Sequence, residues 1–276
     1  MNVVSFNARG LGGGEKRAEV RRLVKDKNPL VMCIQESKWT MVSDIMIKSI
    51  WGDGPCGYSY QSSVGASGGL VTVWDSSMID VWSTMSFGHV LIIKGKVILM
   101  GEEVTIFNVY ASCDVGAKRE LWEKLVPMVL SFSDTCLSMC GDFNSVRNIE
   151  ERKGRGLVFR QVDTDNFNNF IAKSSLIDLP ICGRLFTWYR GDGVSMSKLD
   201  RFLLSEKWCA AWPNSIQVAC QRFLSDHVPL VLYMDDANWG PRPIRMLKCW
   251  SSFRGMMILF VINGTLLISP VGADMC

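Results

Sequence analysis

The chain has 276 residues, of which 48% are hydrophobic and 21% charged, and its net charge is +3. That length and apolar content support one large domain or two small ones and exclude disorder as the main state, while so small a charge excludes a uniformly basic coat, so any basic footprint must be local. Ten scattered cysteines and two histidines, with no CxxC pair and no cleavable leader, point to a reducing, intracellular setting and exclude a disulfide framework and a four-ligand zinc site.

Val3-Val4-Ser5-Phe6 reads as a strand that delivers Asn7, after which Ala8-Arg9-Gly10-Leu11-Gly12-Gly13-Gly14 turns the chain. The glycine run resembles a phosphate cradle but lacks the last glycine of GxGxxG and the Lys-Ser/Thr of a P-loop. The pattern predicts a helix over 15–27, with Val20, Leu23 and Val24 on one face, stopped by Asn28-Pro29. Leu30-Val31-Met32-Cys33-Ile34 is an apolar run too short for a helix, with Cys33 as a small core residue, and it ends in Gln35-Glu36-Ser37-Lys38. Glu36 is either a metal-ligating carboxylate at a strand end or the first-turn acid of a helix. Gly65-Ala66-Ser67-Gly68-Gly69 matches the GxSxG elbow of serine hydrolases, which must lie between a strand and a helix. Leu70-Val71-Thr72-Val73-Trp74 follows at once and is strand-like, so the spacing predicts a hairpin connection instead.

Val104 to Tyr110 reads as a strand with Tyr110 at its tip. A helix from Lys118 to about Ser131 carries Leu121, Trp122, Leu125, Val126 and Val129 at helical spacing, with Pro127 expected to kink it. Leu137 to Cys140 leads to Gly141-Asp142-Phe143-Asn144-Ser145, where Asp142 and Asn144, two apart, project to one side. They form either a pair of cleft groups or an Asx-type turn. The stretch from Arg147 to Arg160 is the most basic, and it reads as a solvated loop or as a phosphate contact. Phe167, Phe170 and Ile171 mark another amphipathic helix. Phe186-Thr187-Trp188-Tyr189-Arg190 is an aromatic strand with a basic tip, returning through Gly191-Asp192-Gly193 into a strand from Ser197 to Ser205. Asp200, inside that apolar run, needs a partner when buried, and His227 is the candidate. Ser225-Asp226-His227 then opens an apolar run to Leu232 that reads as a buried strand; its histidine is either structural or catalytic.

The ordered set Ser5-Phe6-Asn7, Ile34-Gln35-Glu36-Ser37-Lys38, Asn108-Val109-Tyr110, Gly141-Asp142-Phe143-Asn144, Leu199-Asp200-Arg201-Phe202-Leu203-Leu204 and Ser225-Asp226-His227 resembles the endonuclease/exonuclease/phosphatase superfamily. Within it, the pattern is most similar to the apurinic-type endonuclease domain of plant LINE-like (non-LTR) retrotransposons. The pointers are Phe6 to Gly12, Gly68-Gly69-Leu70, the Glu-Glu-Arg-Lys-Gly sequel to Asn144, Phe186-Thr187-Trp188 and Trp239-Gly240-Pro241-Arg242-Pro243. The resemblance implies an α/β (α+β) fold, a four-layer sandwich of two mixed β-sheets flanked by helices, with polar strand ends meeting in one cleft. It implies a Mg²⁺-dependent (or Mn²⁺-dependent) DNA endonuclease that nicks one strand. A phosphatase acting on a small phosphoester and a non-catalytic nucleic-acid-binding remnant are the alternatives; usable side chains at all six motif positions argue against decay of the site.

By the same resemblance, Glu36 would hold the metal, with Asn7 and Asp226 near its coordination sphere. Asp142 would activate the attacking water, Asn144 would hold that water or a phosphate oxygen, His227 fixed by Asp200 would donate to the phosphate, and Tyr110 would sit on the same phosphate. Arg9, Trp188 and Arg190 would contact the nucleic acid. Arg9 departs from the acid that many repair-type relatives carry there. The implied partner is the DNA backbone, met by a monomer in the nucleus, with no membrane. The expected organisation is a domain over 1–234, a linker over 235–250 and an atypical, loosely packed or disordered tail over 251–276. Met256 to Ile268 is too short, and too interrupted by Asn263-Gly264, to span a bilayer.

Overall fold

The computed structural model describes residues 1–64, 67–154, 159–234, 257–262 and 265–270. They fall into two units, 1–236 and 237–276. The first half of the larger unit runs β1 (Asn2–Asn7), α1 (Gly14–Lys27), β2 (Val31–Gln35), α2 (Asp44–Trp51), β3 (Gly57–Val64), β4 (Ser67–Trp74), β5 (Ile79–Phe87), β6 (Val90–Val97) and β7 (Glu103–Tyr110). The second half runs α3 (Val115–Ser131), β8 (Cys136–Asp142), β9 (Arg152–Lys153), α4 (Gln161–Lys173), β10 (Ile177–Asp178), β11 (Ile181–Cys182), β12 (Trp188–Tyr189), β13 (Met196–Ser197), β14 (Asp200–Leu204), α5 (Glu206–Ala211), β15 (Ile216–Ala219) and β16 (Leu230–Tyr233).

Two large mixed sheets result. One has the order β11-β15-β16-β1-β2-β4-β3, the other β10-β14-β8-β7-β6-β5, and a small third sheet joins β12, β13 and β9. The parallel pairs β1–β2 and β7–β8 each need a crossover helix, which α1 and α3 supply. Alternation along each strand sends one set of side chains between the sheets and the other outward. From β1, Val3 packs between the sheets and Val4 packs under α1 and α2 with Val20, Leu23, Ile47 and Ile50. Likewise Ile106 points between the sheets, while Phe107 meets Trp122, Phe167 and Phe170 from α3 and α4. Three apolar layers therefore hold a helix–sheet–sheet–helix sandwich, as the resemblance implies.

Helix limits follow local chemistry. α1 stops at Asn28, whose left-handed backbone (φ 44°) aims its N–H at the Val24 carbonyl. α3 starts three residues before the expected Lys118, because the Asp114 carboxylate caps Ala117 N–H at 2.8 Å. Glu36 begins no helix: it lies in the left-handed region (φ 49°) just past β2, and α2, not foreseen, opens only at Asp44. β3 and β4 pair antiparallel up to Val64↔Ser67, the hairpin the GxSxG stretch was expected to make. The aromatic and return strands are shorter than expected, and the second is split at Lys198-Leu199.

The smaller unit pairs β17 (Met257–Ile262) with β18 (Thr265–Pro270) antiparallel. The linker 235–250 with Trp239 to Pro243, the other residues of the 251–276 tail, Gly65, Ala66 and Arg155 lie outside the described residues. Among the described residues, no helix is long and apolar enough to cross a membrane.

Candidate active site

Strand ends build the site. On the second sheet, β7, β8 and β14 lie side by side, so that Tyr110, Asp142 and Asp200 stand in register across it. On the first sheet, β1 ends at Asn7, β2 hands over to Glu36, and the turn before β16 brings in Asp226 and His227; Ser225 Oγ donates to Asn7 O at 2.8 Å and holds that turn to β1. Asn7 Nδ2 donates to Asp142 Oδ2 at 2.9 Å and to Glu36 Oε1 at 3.2 Å, tying the two sheets' carboxylates together. Its Oδ1 accepts Arg9 N–H at 3.1 Å, which fixes the amide's orientation. His227 Nδ1 lies 2.8 Å from Asp200 Oδ2, and Nε2 lies 3.7 Å from Asp142 Oδ2. Asn144, itself left-handed (φ 48°), donates its backbone N–H to Asp142 Oδ1 at 3.0 Å. The Asx-type turn and the cleft pair are thus one structure.

Burial sets the electrostatics. It pushes the Asp142 carboxyl up to about 6, against the pull of His227. Burial opposes the charge of His227, but Asp200 and Asp142 outweigh it and raise the imidazole to about 9, so it is a cation at neutral pH. Burial and the nearby Glu36 carboxylate, to which Tyr110 hydrogen-bonds, push the phenol up and keep it protonated. Arg9 reaches in from the rim, with Nη1 3.5 Å from Glu36 Oε1 and Nε 3.3 Å from Asp226 Oδ1.

Asp142, Asp200 and His227 bring ligand-type atoms within 4.8 Å of one another. With Nδ1 engaged by Asp200 at 2.8 Å and Nε2 in ionic contact with Asp142 at 3.7 Å, that trio is an ion cluster built around the imidazole, not a cation cage. Glu36 and Asp226 fit a hard divalent ion better. They offer carboxylate oxygens, a guanidinium is already drawn between them, and Asp226 Oδ1 has no hydrogen-bond partner among the described residues.

Residues 4–227 match the model of the Endonuclease/Exonuclease/phosphatase family. The chain belongs to this family. Its fold is shared by the apurinic (AP) endonuclease LMAP from Leishmania major, with a TM-score of 0.63 at 16% identity over 84% of this chain and 87% of that one. The endonuclease domain of TRAS1, a telomere-specific non-LTR retrotransposon, gives 0.63 at 14% identity over 84% and 97%. The 3′ phosphatase NExo from Neisseria, bound to product DNA hairpin, gives 0.66 at 18% identity over 85% and 99%.

In this family member Asn7, Glu36, Tyr110, Asp142, Asn144, Asp200, Asp226 and His227 come together in one cleft, and Trp188 joins them through Nε1 to Asp226 Oδ2 at 3.0 Å. Arg190 is exposed at the far end of β12, beside Arg184, Arg222 and Tyr189 in a cavity of about 430 Å³. At the start of the stretch from Arg147, the side chains are not simply solvated. Arg147 binds Asn168 and Asp178, and Glu151 pairs with the fully buried Arg201 at 2.8 Å.

Two residues quoted in the motifs have supporting roles that the sequence did not show. Thr187 Oγ1 accepts both Leu199 N–H and Asp200 N–H, anchoring the start of β14. Asn108 spans the sheets, accepting from Gln35 Nε2 at 2.7 Å and donating to Ile34 O, Val71 O and Thr72 Oγ1. A buried amide inside an apolar strand was the available signal, since such groups must find partners.

Proposed function

We propose that the chain is a divalent-cation-dependent phosphodiesterase that nicks one strand of DNA, of the type that serves non-LTR retrotransposons. The observation that carries this reading is the polar chain in which His227 hydrogen-bonds Asp200 and stands in ionic contact with Asp142, which Asn7 in turn ties to Glu36, built from both sheets around one cleft. A carboxylate able to take a proton, a buried cation beside it and a hard-oxygen pair next to both are what hydrolysis of a phosphate diester needs.

Glu36 and Asp226 would hold Mg²⁺ or Mn²⁺, which neutralises charge on the scissile phosphate when bound. Asp142, with its carboxyl near 6, accepts the proton of the attacking water, and Asn144 keeps it aimed. Asn7 acts at the edge of the coordination sphere by holding Glu36 and Asp142 together through its NH₂. His227, kept cationic by Asp200, donates from Nε2 to the phosphate oxygen that gains charge. Tyr110, protonated, offers its hydroxyl to the same phosphate. Trp188, bonded to Asp226, would lie beside the strand at the cleft, and Arg190 would meet the nucleic acid farther along, from its separate cavity.

The likeness to a 3′ phosphatase bound to product DNA gives the second reading a footing: release of a terminal phosphate. A labelled duplex carrying a 3′ phosphate on one strand separates the two. Endonuclease action yields internal fragments on a denaturing gel with Mg²⁺ present. Inorganic phosphate without internal cuts would replace the first reading with the second.

A further inference from the structure

Arg9 is held in place by more than its side chain. Beyond the paired strands, Ala8 N–H, Gly10 N–H and Leu11 N–H bond to the carbonyls of Gln35, Glu36 and Ser37, so the loop after β1 is laced to the loop after β2. Lys16 Nζ caps the Ala8 and Arg9 carbonyls at 3.0 and 2.8 Å. Arg9 and Glu36 both adopt left-handed backbones, with φ of 52° and 49°, an unusual conformation for residues with a side chain. The lacing aims the guanidinium at Glu36 Oε1 and Asp226 Oδ1 and leaves 47% of the side chain exposed at the mouth of the cleft.

Glu36 and Asp226 together offer two carboxylates, which match the charge of one divalent cation, and Arg9 sets a single positive charge against them.

We propose that Arg9 is a built-in cation of this pocket: its guanidinium offsets part of the charge of the Glu36–Asp226 pair, so that the pocket takes a single divalent cation that competes with Arg9 for those carboxylates. With an ion held by Glu36 and Asp226, the Arg9 guanidinium would be free at its exposed rim position to meet a phosphate diester. Arg9 thus trades one anion for another and positions the substrate. The inference rests on the metal-dependent reading of the cleft and adds the stoichiometry and the part of Arg9.

Mn²⁺ titration calorimetry on the whole chain, free of DNA, tests it without reference to turnover. The wild type binds one Mn²⁺. Arg9→Ala binds it about tenfold more tightly, because one positive charge a few ångströms away is gone, and Arg9→Lys stays within about threefold of the wild type. In chelator, the thermal midpoint of Arg9→Ala falls below that of the wild type and is regained with Mn²⁺; Arg9→Lys, which keeps the charge, secures the comparison if Arg9→Ala does not fold. Two ions in the wild type, or equal or weaker affinity in folded Arg9→Ala, would overturn the proposal. If Mn²⁺ binding is abolished by Glu36→Gln while Arg9→Ala matches the wild type, Arg9 alone has been misassigned. If none of the three proteins binds Mn²⁺, the metal-dependent reading fails with it.

Discussion

Asp142 and Asp200 face each other on neighbouring strands, an arrangement that costs stability unless a cation stands between them. His227 is that cation, and its two ring nitrogens explain why both carboxylates tolerate burial. The same three residues carry the proton traffic of the proposed reaction, so stability and chemistry are coupled there. Loss of one preorganised electrostatic group typically costs about 3–4 kcal/mol of transition-state stabilisation. Asp142→Asn and His227→Ala should therefore each lower the nicking rate by at least about a hundredfold while the circular dichroism spectrum stays that of the wild type. Near-normal turnover in either folded variant removes its residue from the mechanism. Most of these groups were legible at this scale, because Asn7, Glu36, Asp142 and His227 sit at ends of apolar runs and Asp200 is a carboxylate inside one. Arg9 was legible as a departure and as a nucleic-acid contact, but nothing local says that it turns back onto Glu36 and Asp226, since that depends on two left-handed residues and on a turn more than 200 residues away.

Elements reach the cleft only if their backbones pack closely. Gly141, with φ of 138°, has no room for a Cβ, which would meet the Val109 carbonyl at 1.9 Å across the β7–β8 pair. Gly141→Ala should cost about 3 kcal/mol or more in urea unfolding, since neither strand can retreat without moving Tyr110 or Asp142. The loop after β8 is held from the other side by ions: Arg201 on β14 pairs with Glu151 and Asp178 at 2.8 and 2.7 Å. Burial would raise the Glu151 carboxyl, but Arg201 holds it below its ordinary 4.5. A folded pKa below the unfolded one means stability that is present above about 4.5 and lost as pH falls through the folded value. Glu151→Gln should thus be about 3 kcal/mol less stable than the wild type at pH 7, and the gap should narrow as pH falls below 4.5. A gap independent of pH would contradict the ion pair. Periodicity found β1, β2, β4, β7, β8 and β16 and the helices α1, α3 and α4. It missed β5 and β6 and the short helices α2 and α5, whose eight and six residues are few for a periodic signal, and charge alone did not show that Arg147 is received by an acid 31 residues on at Asp178.

At the scale of the molecule, the cleft exists because two sheets are clamped at a fixed offset. Asn108 is the polar pin of that clamp, joining Gln35 and the carbonyls of Ile34 and Val71 between otherwise apolar faces. Asn108→Ala would take from Gln35 its shortest hydrogen bond, remove the donor to the Ile34 and Val71 carbonyls and lower the thermal midpoint by roughly 10 °C, taking about 3 kcal/mol for the lost bonds in a domain this size. A shift of only a degree or two would mean that the apolar layer alone sets the sheet spacing. The central claim, that side chains from both sheets form one cation-dependent site for cutting DNA, is tested most directly by incubating the purified chain with supercoiled plasmid in Mg²⁺ and in chelator. Open-circular product that forms with Mg²⁺ and is absent with chelator is the predicted result. Equal nicking in chelator, or intact plasmid under every divalent ion with the wild-type chain folded, would contradict it.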